Sequence, residues 1–315
     1  MPIEYKADLV CVGISVVDCI INGYTGEKLS QRSYTSESVS LQPGGEAVNV
    51  SVAAAKLGLN VRAVSGIGAD KAGDVILTEL KGAGVNTSDI IVKDDFRTPV
   101  AVIFVDGDGN RVTIISKAHR QNFRPDLDLS YLDSAPALSL GSLFRAPFND
   151  PEVLYTVLKG AKDRGMTTYV DTKMPNSDIK KLDDLRDSLP LIDYIFPNED
   201  EAAYYSGCVR NEDMAGAFLE RGVKNVIVKL GAKGCFFMNS EESITVPGLK
   251  ADAVDATGAG DNFIAGFIRS VKDGKPVRES LEFANACGAV CTLAVGATSG
   301  LKDKEQVLGY LKSHS

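Results

Sequence analysis

The stretch Asp255-Ala256-Thr257-Gly258-Ala259-Gly260-Asp261-Asn262-Phe263 decides how this chain is read. It stands at the head of an apolar run rich in small residues, Ala259–Val271, that reads as a helix. Glycines at such a junction leave backbone N–H groups unobstructed at a helix N-terminus, where the unpaired donors and the helix dipole attract an anion. Gly258, Ala259 and Gly260 therefore offer a preformed anion site, and Asp261 sets a carboxylate beside it. A carboxylate next to a bound phosphate can take the proton of an attacking hydroxyl. The plainer alternative is a tight turn with Asp261 as a helix cap. Two rival nucleotide patterns are missing. The chain has no G-x-x-x-x-G-K-[ST] loop, and Gly66-Ile67-Gly68 is followed by Lys71 where a dinucleotide fingerprint needs its third glycine.

Upstream of this stretch, short apolar runs alternate with helical patterns. Strands are expected at Ala7–Gly13, Val61–Ile67, Leu138–Leu143, Thr167–Asp171, Tyr194–Pro197 and Asn225–Leu230. Helices are expected at Glu46–Leu57, Ala72–Lys81, Pro151–Arg164, Ile179–Leu189 and Asp213–Arg221, with Val277–Leu293 following Ala259–Val271. That alternation predicts an α/β fold, a mostly parallel sheet covered by helices on both faces. Two stretches break the rhythm, Asp18–Leu41 and Arg97–Ser116. The second is a hairpin, two β-rich runs around Asp106-Gly107-Asp108-Gly109-Asn110. Together they are expected to form a small separate sheet, a lid or a dimer surface with exposed edges.

Composition limits the functions available. The chain has 315 residues, 44% hydrophobic and 24% charged, which suits a packed domain. A net charge of −8 leaves no basic surplus for a nucleic-acid backbone. No apolar run reaches the length of a membrane span, and Met1–Asp8 lacks the basic-then-apolar pattern of a secretory leader. A cytoplasmic protein is the expectation. The six cysteines form no C-x-x-C pair and read as buried free thiols; Cys287 and Cys291 share a helix face as core. Two histidines, His119 and His314, exclude a His-rich zinc site.

The nonapeptide closely resembles the C-terminal signature of the ribokinase-like (phosphofructokinase B) family of carbohydrate kinases. Three further marks recur in order. Gly44-Gly45-Glu46-Ala47-Val48-Asn49 is similar to the family's N-terminal signature, Asn198-Glu199-Asp200-Glu201 to its N-x-x-E element, and Lys229-Leu230-Gly231-Ala232-Lys233-Gly234 to its nucleotide-proximal loop. The resemblance runs from about Leu9 to Leu311. It implies a single ribokinase-like domain over 1–315, a three-layer sandwich with a β-sheet lid formed by about 18–41 and 97–116. It implies an ATP-dependent kinase using Mg²⁺, with Asp261 as base and Gly258–Asp261 as anion hole. Asp18, Gly44, Gly45 and Asn49 would bind the phosphoryl acceptor. Asn198, Lys229, Gly231, Gly234 and Asn285 would flank the nucleotide, and Glu201 would hold Mg²⁺ through water. Asp255, Thr257, Val295 and Ser299 are implied for a monovalent cation such as K⁺, or Asp255 only fixes the loop. A homodimer through the lid is the expected assembly.

The acceptor is less well specified. Arg145, in Leu143-Phe144-Arg145-Ala146-Pro147, stands where relatives often carry an acid. Pointing inward it would pair with a carboxylate or phosphate; pointing outward it leaves a neutral sugar. Lys117, His119, Arg120 and Lys173 are either a cationic cluster or a solvated face. Lys229 departs from a common neutral Thr or Ser, and either meets a phosphate or is solvated. Asp171 is followed by Thr172-Lys173-Met174-Pro175, not by the Asp-x-Asn-x-Arg of keto-deoxy-gluconate kinases. A nucleoside kinase would stack a base on Tyr24, Tyr34, Phe104 or Phe123; a sugar-acid kinase and a non-catalytic sugar-binding regulator are the other readings.

Overall fold

The computed structural model describes residues 6–24, 33, 35–106, 111–115, 123–175 and 181–314. In chain order the elements are β1 (Leu9–Val12), β2 (Val16–Asn22), β3 (Ser38–Gly44), α1 (Glu46–Lys56), β4 (Val61–Gly68), α2 (Lys71–Gly82), β5 (Asn86–Lys93), β6 (Val100–Val105) and β7 (Arg111–Ile115). Then come β8 (Ala137–Leu143), α3 (Pro151–Asp163), β9 (Thr167–Thr172), β10 (Tyr194–Phe196), α4 (Glu199–Ser206), α5 (Asn211–Leu219) and β11 (Asn225–Lys229). The chain closes with β12 (Gly234–Met238), β13 (Ser243–Pro247), α6 (Ala259–Lys272), α7 (Val277–Cys291) and α8 (Lys304–His314).

Nine strands form the main sheet in the order β13-β12-β11-β10-β9-β8-β1-β4-β5. All neighbours from β11 to β5 are parallel, and the β12–β13 hairpin adds an antiparallel edge. Every residue of β1 is buried, because the sheet is covered twice. Leu9 and Cys11 join the core under α1, α2, α6, α7 and α8, whereas Val10 and Val12 join the core under α3, α4 and α5. These are the three layers expected. Phe267 of α6 anchors the first core, meeting Tyr169, Tyr194 and Phe196 edge-on. Fully burying such a ring is worth about 1.5–3 kcal/mol.

Strand order reverses at β1, whose neighbours are β8 and β4. Open α/β sheets bind ligands beyond the carboxyl ends of the strands at such a switch. The N-terminus of α1 lies over that point. It sits low because Gly141 of β8 has no side chain: a Cβ there would lie 2.7 Å from the Cβ of Glu46.

A second sheet has the order β3-β2-β6-β7, built from the two stretches that broke the rhythm. Val16, Ile20, Ala101 and Ile103 fill its inner face. Its outer face is also apolar. Cys19 and Ile21 pair across to Leu41 and Val39 on one side and to Val102 and Phe104 on the other; Ile114 and Val112 complete the rows. Val39, Leu41, Val112 and Ile114 are 63, 60, 57 and 58% exposed.

Three expectations need correction. The helix expected over Ile179–Leu189 is absent in its described part, which holds two short 3-10 turns, Leu182–Leu185 and Leu189–Leu191. The buried leucines at 182, 185 and 189 fit a helical period, but Pro190 removes a backbone donor, and tighter turns bury them with less chain. The strand expected over Tyr194–Pro197 stops at Phe196, and α4 begins at Glu199 after an Asn198 cap. The β12–β13 edge hairpin and β5 were not expected at all. All six cysteines are free, with Cys19 and Cys208 only half-buried. No helix among the described residues is long and apolar enough to cross a membrane. Lys117, His119, Arg120, Tyr34 and the hairpin tip 107–110 lie outside the described residues.

Candidate active site

Two helix N-termini converge at the switch point, and neither has a side-chain cap. At α6 the N-cap is Gly258, in the left-handed region at φ 75°. A Cβ on Gly258 would lie 2.4 Å from Ala297 Cβ, so chain direction and packing both demand glycine. The first turn of a helix has no carbonyl four residues back for its N–H groups. Ala259 N–H makes only a long bond to the Ala256 carbonyl, 3.3 Å, and Gly260 and Asp261 follow it into that turn. At α1 the N-cap is Gly45, φ 93°, where a Cβ would lie 2.3 Å from the Ile14 carbonyl oxygen.

Between these ends, Asn49 Nδ2 donates to Asp261 Oδ2 at 2.8 Å, and both residues are buried. Asn49 Oδ1 is also buried and has no hydrogen-bond partner among the described residues. A buried acceptor without a donor costs roughly 1–3 kcal/mol, which a ligand hydroxyl would relieve. Burial pushes the Asp261 carboxyl up to about 7; Lys173 opposes the rise, and Glu46 and Asp171 add to it.

Charged neighbours come from four strand ends and helix starts. Glu46, first residue of α1, accepts from Ser142 Oγ and pairs with Lys173 Nζ at 3.0 Å. Burial alone would raise the Glu46 carboxyl, but Lys173 and Ser142 hold it down to about 2. Ser142 and Phe144 have positive φ, 65° and 71°, backbone strain of the kind that collects at functional sites. Lys229, at the end of β11, pairs with Asp171 at 2.7 Å. It is therefore not solvated: its side chain is 13% exposed, and its ammonium lies 3.2 Å from where a Gly260 Cβ would be. Glu201 Oε2 accepts from Thr172 Oγ1 at 2.7 Å and from Asn198 N–H at 3.1 Å. Asn198 Oδ1 returns a bond to Glu201 N–H, so the two form a capping box. Burial, then the Asp171 charge, raises the Glu201 carboxyl.

On the other side of Gly260 lies a cavity of about 250 Å³. Gly231, Gly234, Gly248, Phe263 and Gly288 give it small or apolar walls. Asn285 also lines it, with Nδ2 donating to the Pro247 carbonyl at 3.2 Å. The expected nucleotide residues Lys229, Gly231, Gly234 and Asn285 thus share one pocket, while Asn198 stays with Glu201.

Asp18 lies on the inner face of the second sheet, half-buried beside Gly44, whose Cβ would stand 2.4 Å from Asp18 Oδ2. Arg145 donates through Nε to the Met174 carbonyl at 2.8 Å, bracing the turn after β8 against the turn after β9. Asp255 braces a loop. Its Oδ1 accepts from Thr257 N–H and Oγ1 at 2.9 and 2.7 Å, and its Oδ2 from Gly296 N–H at 2.9 Å. Val295 and Ser299 are exposed.

Sequence reasoning missed Glu46, Ser142 and Asn262 as members of the site, left Lys173 open between a cationic cluster and a solvated face, and gave Asp171 only as the end of a strand. Asn262 Nδ2 binds the Gly258 and Ala297 carbonyls at 2.9 and 2.8 Å and fixes the anion loop from below. One signal was available: Glu46 is an acid in an otherwise small or apolar helix start, and Lys173 is a base two residues after a buried acid.

A family model described as pfkB family carbohydrate kinase matches residues 6–304. A probable fructokinase-5 of Arabidopsis thaliana is 28% identical over 87% of this chain and 89% of its own. A ribokinase of Staphylococcus aureus is 27% identical over 95% of this chain and 98% of its own. Among solved structures, Arabidopsis thaliana ribokinase complexed with ribose and ATP superposes with a TM-score of 0.84. It is 27% identical, and the match covers 98% of this chain and 99% of that one.

The Gly258 geometry can be tested directly. Gly258→Ala should lower stability by about 2 kcal/mol or more, since a left-handed non-glycine residue costs about 1–2 kcal/mol before any clash. Urea unfolding measures it; an unchanged midpoint would mean that the loop relaxes freely around a Cβ.

Proposed function

Because this chain belongs to the pfkB family of carbohydrate kinases, we propose that it moves the γ-phosphoryl group of ATP to a hydroxyl of a small ribose- or fructose-type sugar, with Asp261 as general base. The observation that carries this reading is the buried Asp261 carboxyl, lifted to about 7 beside an uncapped helix N-terminus. A base poised near neutrality is half-ready to accept a proton and strong enough to be useful. Asn49 Oδ1 and Asp18 receive the sugar's hydroxyl hydrogens, with the backbone at Gly44 and Gly45 approached closely. The reacting hydroxyl gives its proton to Asp261 as its oxygen bonds to the γ-phosphorus, the bond to the bridging oxygen breaks, and ADP leaves. The N–H groups at Gly258–Asp261 and the Lys229 ammonium face the charge on the moving phosphoryl group, where fixed donors are most effective. The small-walled cavity at Gly231, Gly234 and Asn285 takes the adenine ring.

Mg²⁺ fits the far side of this site. Both bonds to Glu201 fall on Oε2, and the excess negative charge shared with Asp171 favours a cation that keeps its waters. When bound, the ion neutralises the β,γ-phosphates. The Asp255 oxygens already accept N–H and O–H hydrogens, so no step is assigned to a monovalent cation at Asp255, Thr257, Val295 or Ser299.

A neutral acceptor is favoured over a sugar acid, because Lys173 is paired with Glu46 and Arg145 spends Nε on the chain itself. A nucleoside is disfavoured among the described aromatics. Phe123 is buried against Gly66, and Phe104 is on the outer face of the second sheet against Tyr24. We take the whole chain as one kinase domain and its second sheet as the lid, excluding water when closed. The lid's outer apolar face, rather than its edges, supports a homodimer: an exposed patch spanning four strands needs cover, and a second copy offers a matching one.

Four outcomes are expected. Asp261→Asn should cut kcat by about 10²–10⁴-fold while ATP still binds by calorimetry. In the wild type kcat/KM should fall below about pH 7, since only the ionised carboxylate accepts a proton; retention of a tenth of kcat, or a flat profile, removes Asp261 as base. Asp18→Ala should raise the sugar KM by about tenfold or more, as a hydrogen bond to a charged group is worth about 1.5–3 kcal/mol, and should spare the ATP KM. Equal changes would place Asp18 elsewhere. For the assembly, Leu41→Glu should sediment as a monomer where the wild type sediments as a dimer; a wild-type monomer ends the dimer reading.

A further inference from the structure

The ion pair between Lys173 and Glu46 is not accounted for by sugar, nucleotide or metal binding. Glu46 is the first residue of α1, and Asn49 is one turn on, on the same side of the helix. Glu46 is held from two strand ends: by Lys173, just past β9, and by the Ser142 hydroxyl of β8. Asn49 in turn holds Asp261. A continuous line of contacts therefore runs from the turn after β9, through the first turn of α1, to the carboxylate. Both charges of the pair also act on Asp261 directly, Lys173 favouring the ionised carboxylate and Glu46 the protonated one.

We propose that Lys173 and Glu46 are a positioning pair for the reaction at Asp261: together they fix the first turn of α1 so that Asn49 meets the base, and their opposed charges cancel there. The inference rests on Asp261 being the base, and goes beyond that by assigning its surroundings.

The other charged or titratable groups around the site are Asp171 at the end of β9, which acts on Asp261 directly, Cys291 of α7, on which Asp261 acts, Lys229 beside Gly260, and Glu201 at the start of α4, Asp255 in the anion loop and Asp18 of the second sheet. Asp171 is paired with Lys229 at 2.7 Å, and its charge, which also raises the Asp261 carboxyl, is unchanged in every variant compared below. The Cys291 thiol is pushed up to about 12, chiefly by burial, and is neutral where Asp261 titrates. Asp255 is satisfied by its own loop. Glu201 is turned to Thr172 and the Asn198 amide. Asp18 is present unchanged in every variant compared below. The pair is thus the part of the field at Asp261 that single substitutions can unbalance in opposite senses.

The signs follow from which charge is left behind. Lys173→Met leaves the Glu46 carboxylate uncompensated, so Asp261 should hold its proton to higher pH, by about one unit or more. Glu46→Gln leaves the Lys173 ammonium uncompensated, so Asp261 should release its proton at lower pH by a similar amount. The double variant should return near the wild-type value. The measurement is a ¹³C titration of the Asp261 carboxyl in the full-length, ligand-free protein, labelled at aspartate carboxyls and assigned with Asp261→Asn. Parallel kcat/KM profiles should move their acid limbs in the same two directions. Lys173→Arg, which keeps the charge, should keep the wild-type titration and serves if Lys173→Met does not fold. Shifts of the two single variants in the same direction, or no shift in either, would overturn the proposal. Because the titration needs no sugar or ATP, it reads the pair even if Asp261 proves not to be the base. In that case the resonances move as expected while the rate profiles do not follow them.

Discussion

A single hydrogen bond joins the two halves of this molecule at the point where chemistry is possible. Asn49 and Asp261 are 212 positions apart in sequence and 2.8 Å apart in space. For the bond to form, two helix N-termini must meet over the same strand ends, and most features of the site are conditions for that meeting. Gly141 lets α1 settle onto β8, Gly45 turns the chain into α1, and Gly258 turns it into α6. Each gives up a side chain at a place where a Cβ would collide with backbone or with a packed neighbour. The reversal of strand order at β1 supplies the cleft in which the ends converge.

Leaving those helix starts uncapped has a local cost. A capped N-terminus is more stable by about 1 kcal/mol, and elsewhere in the chain the usual device appears: Asp70 and Asp150 cap α2 and α3 through their own carboxylates. At α1 and α6 the cap position is glycine. Donors that a side chain would have satisfied remain available to an anion, and a carboxylate in the next turn remains available to a proton. Two glycine caps that face each other at one place mark function more surely than either glycine alone.

How much of this was legible in the sequence follows from the range of each signal. Short-range chemistry was readable. The Gly258–Asp261 junction, the Gly44–Gly45 turn and the Asn198–Glu201 pair are each a few adjacent residues whose types dictate a backbone, and the structure places them at the ends of helices as expected. The strand–helix alternation was readable because buried parallel strands are continuous apolar runs. The β12–β13 hairpin was not, since an exposed edge carries a diluted pattern, as in Ser243–Pro247, where burial alternates residue by residue. Pro190 defeated the helical period of three buried leucines. The charge pairs were the least legible. Nothing local says that Lys173 will find Glu46, 127 positions away, or that Lys229 will find Asp171; those partnerships exist only because four parallel strands end together. Taken alone, each lysine was as open to an anionic ligand as to solvent.

The same crowding ties activity to stability. An aspartate whose carboxyl sits near 7 in the folded chain and near 3.8 when unfolded binds its proton more tightly when folded. Across the interval between those values the folded state loses stability as pH rises, because the unfolded chain releases that proton while the folded chain still holds it. Glu46 runs the other way: held down to about 2, it gives stability that is present above its unfolded value and lost as pH falls toward 2. The two carboxylates, three residues apart in their contacts through α1, therefore oppose each other. One is held against its own ionisation, and the other is satisfied where it anchors the first turn of the helix carrying its neighbour's partner. Lys173 ties the two together: its charge lowers the carboxyl at Glu46 and opposes the rise at Asp261, so one ammonium past the end of β9 serves both.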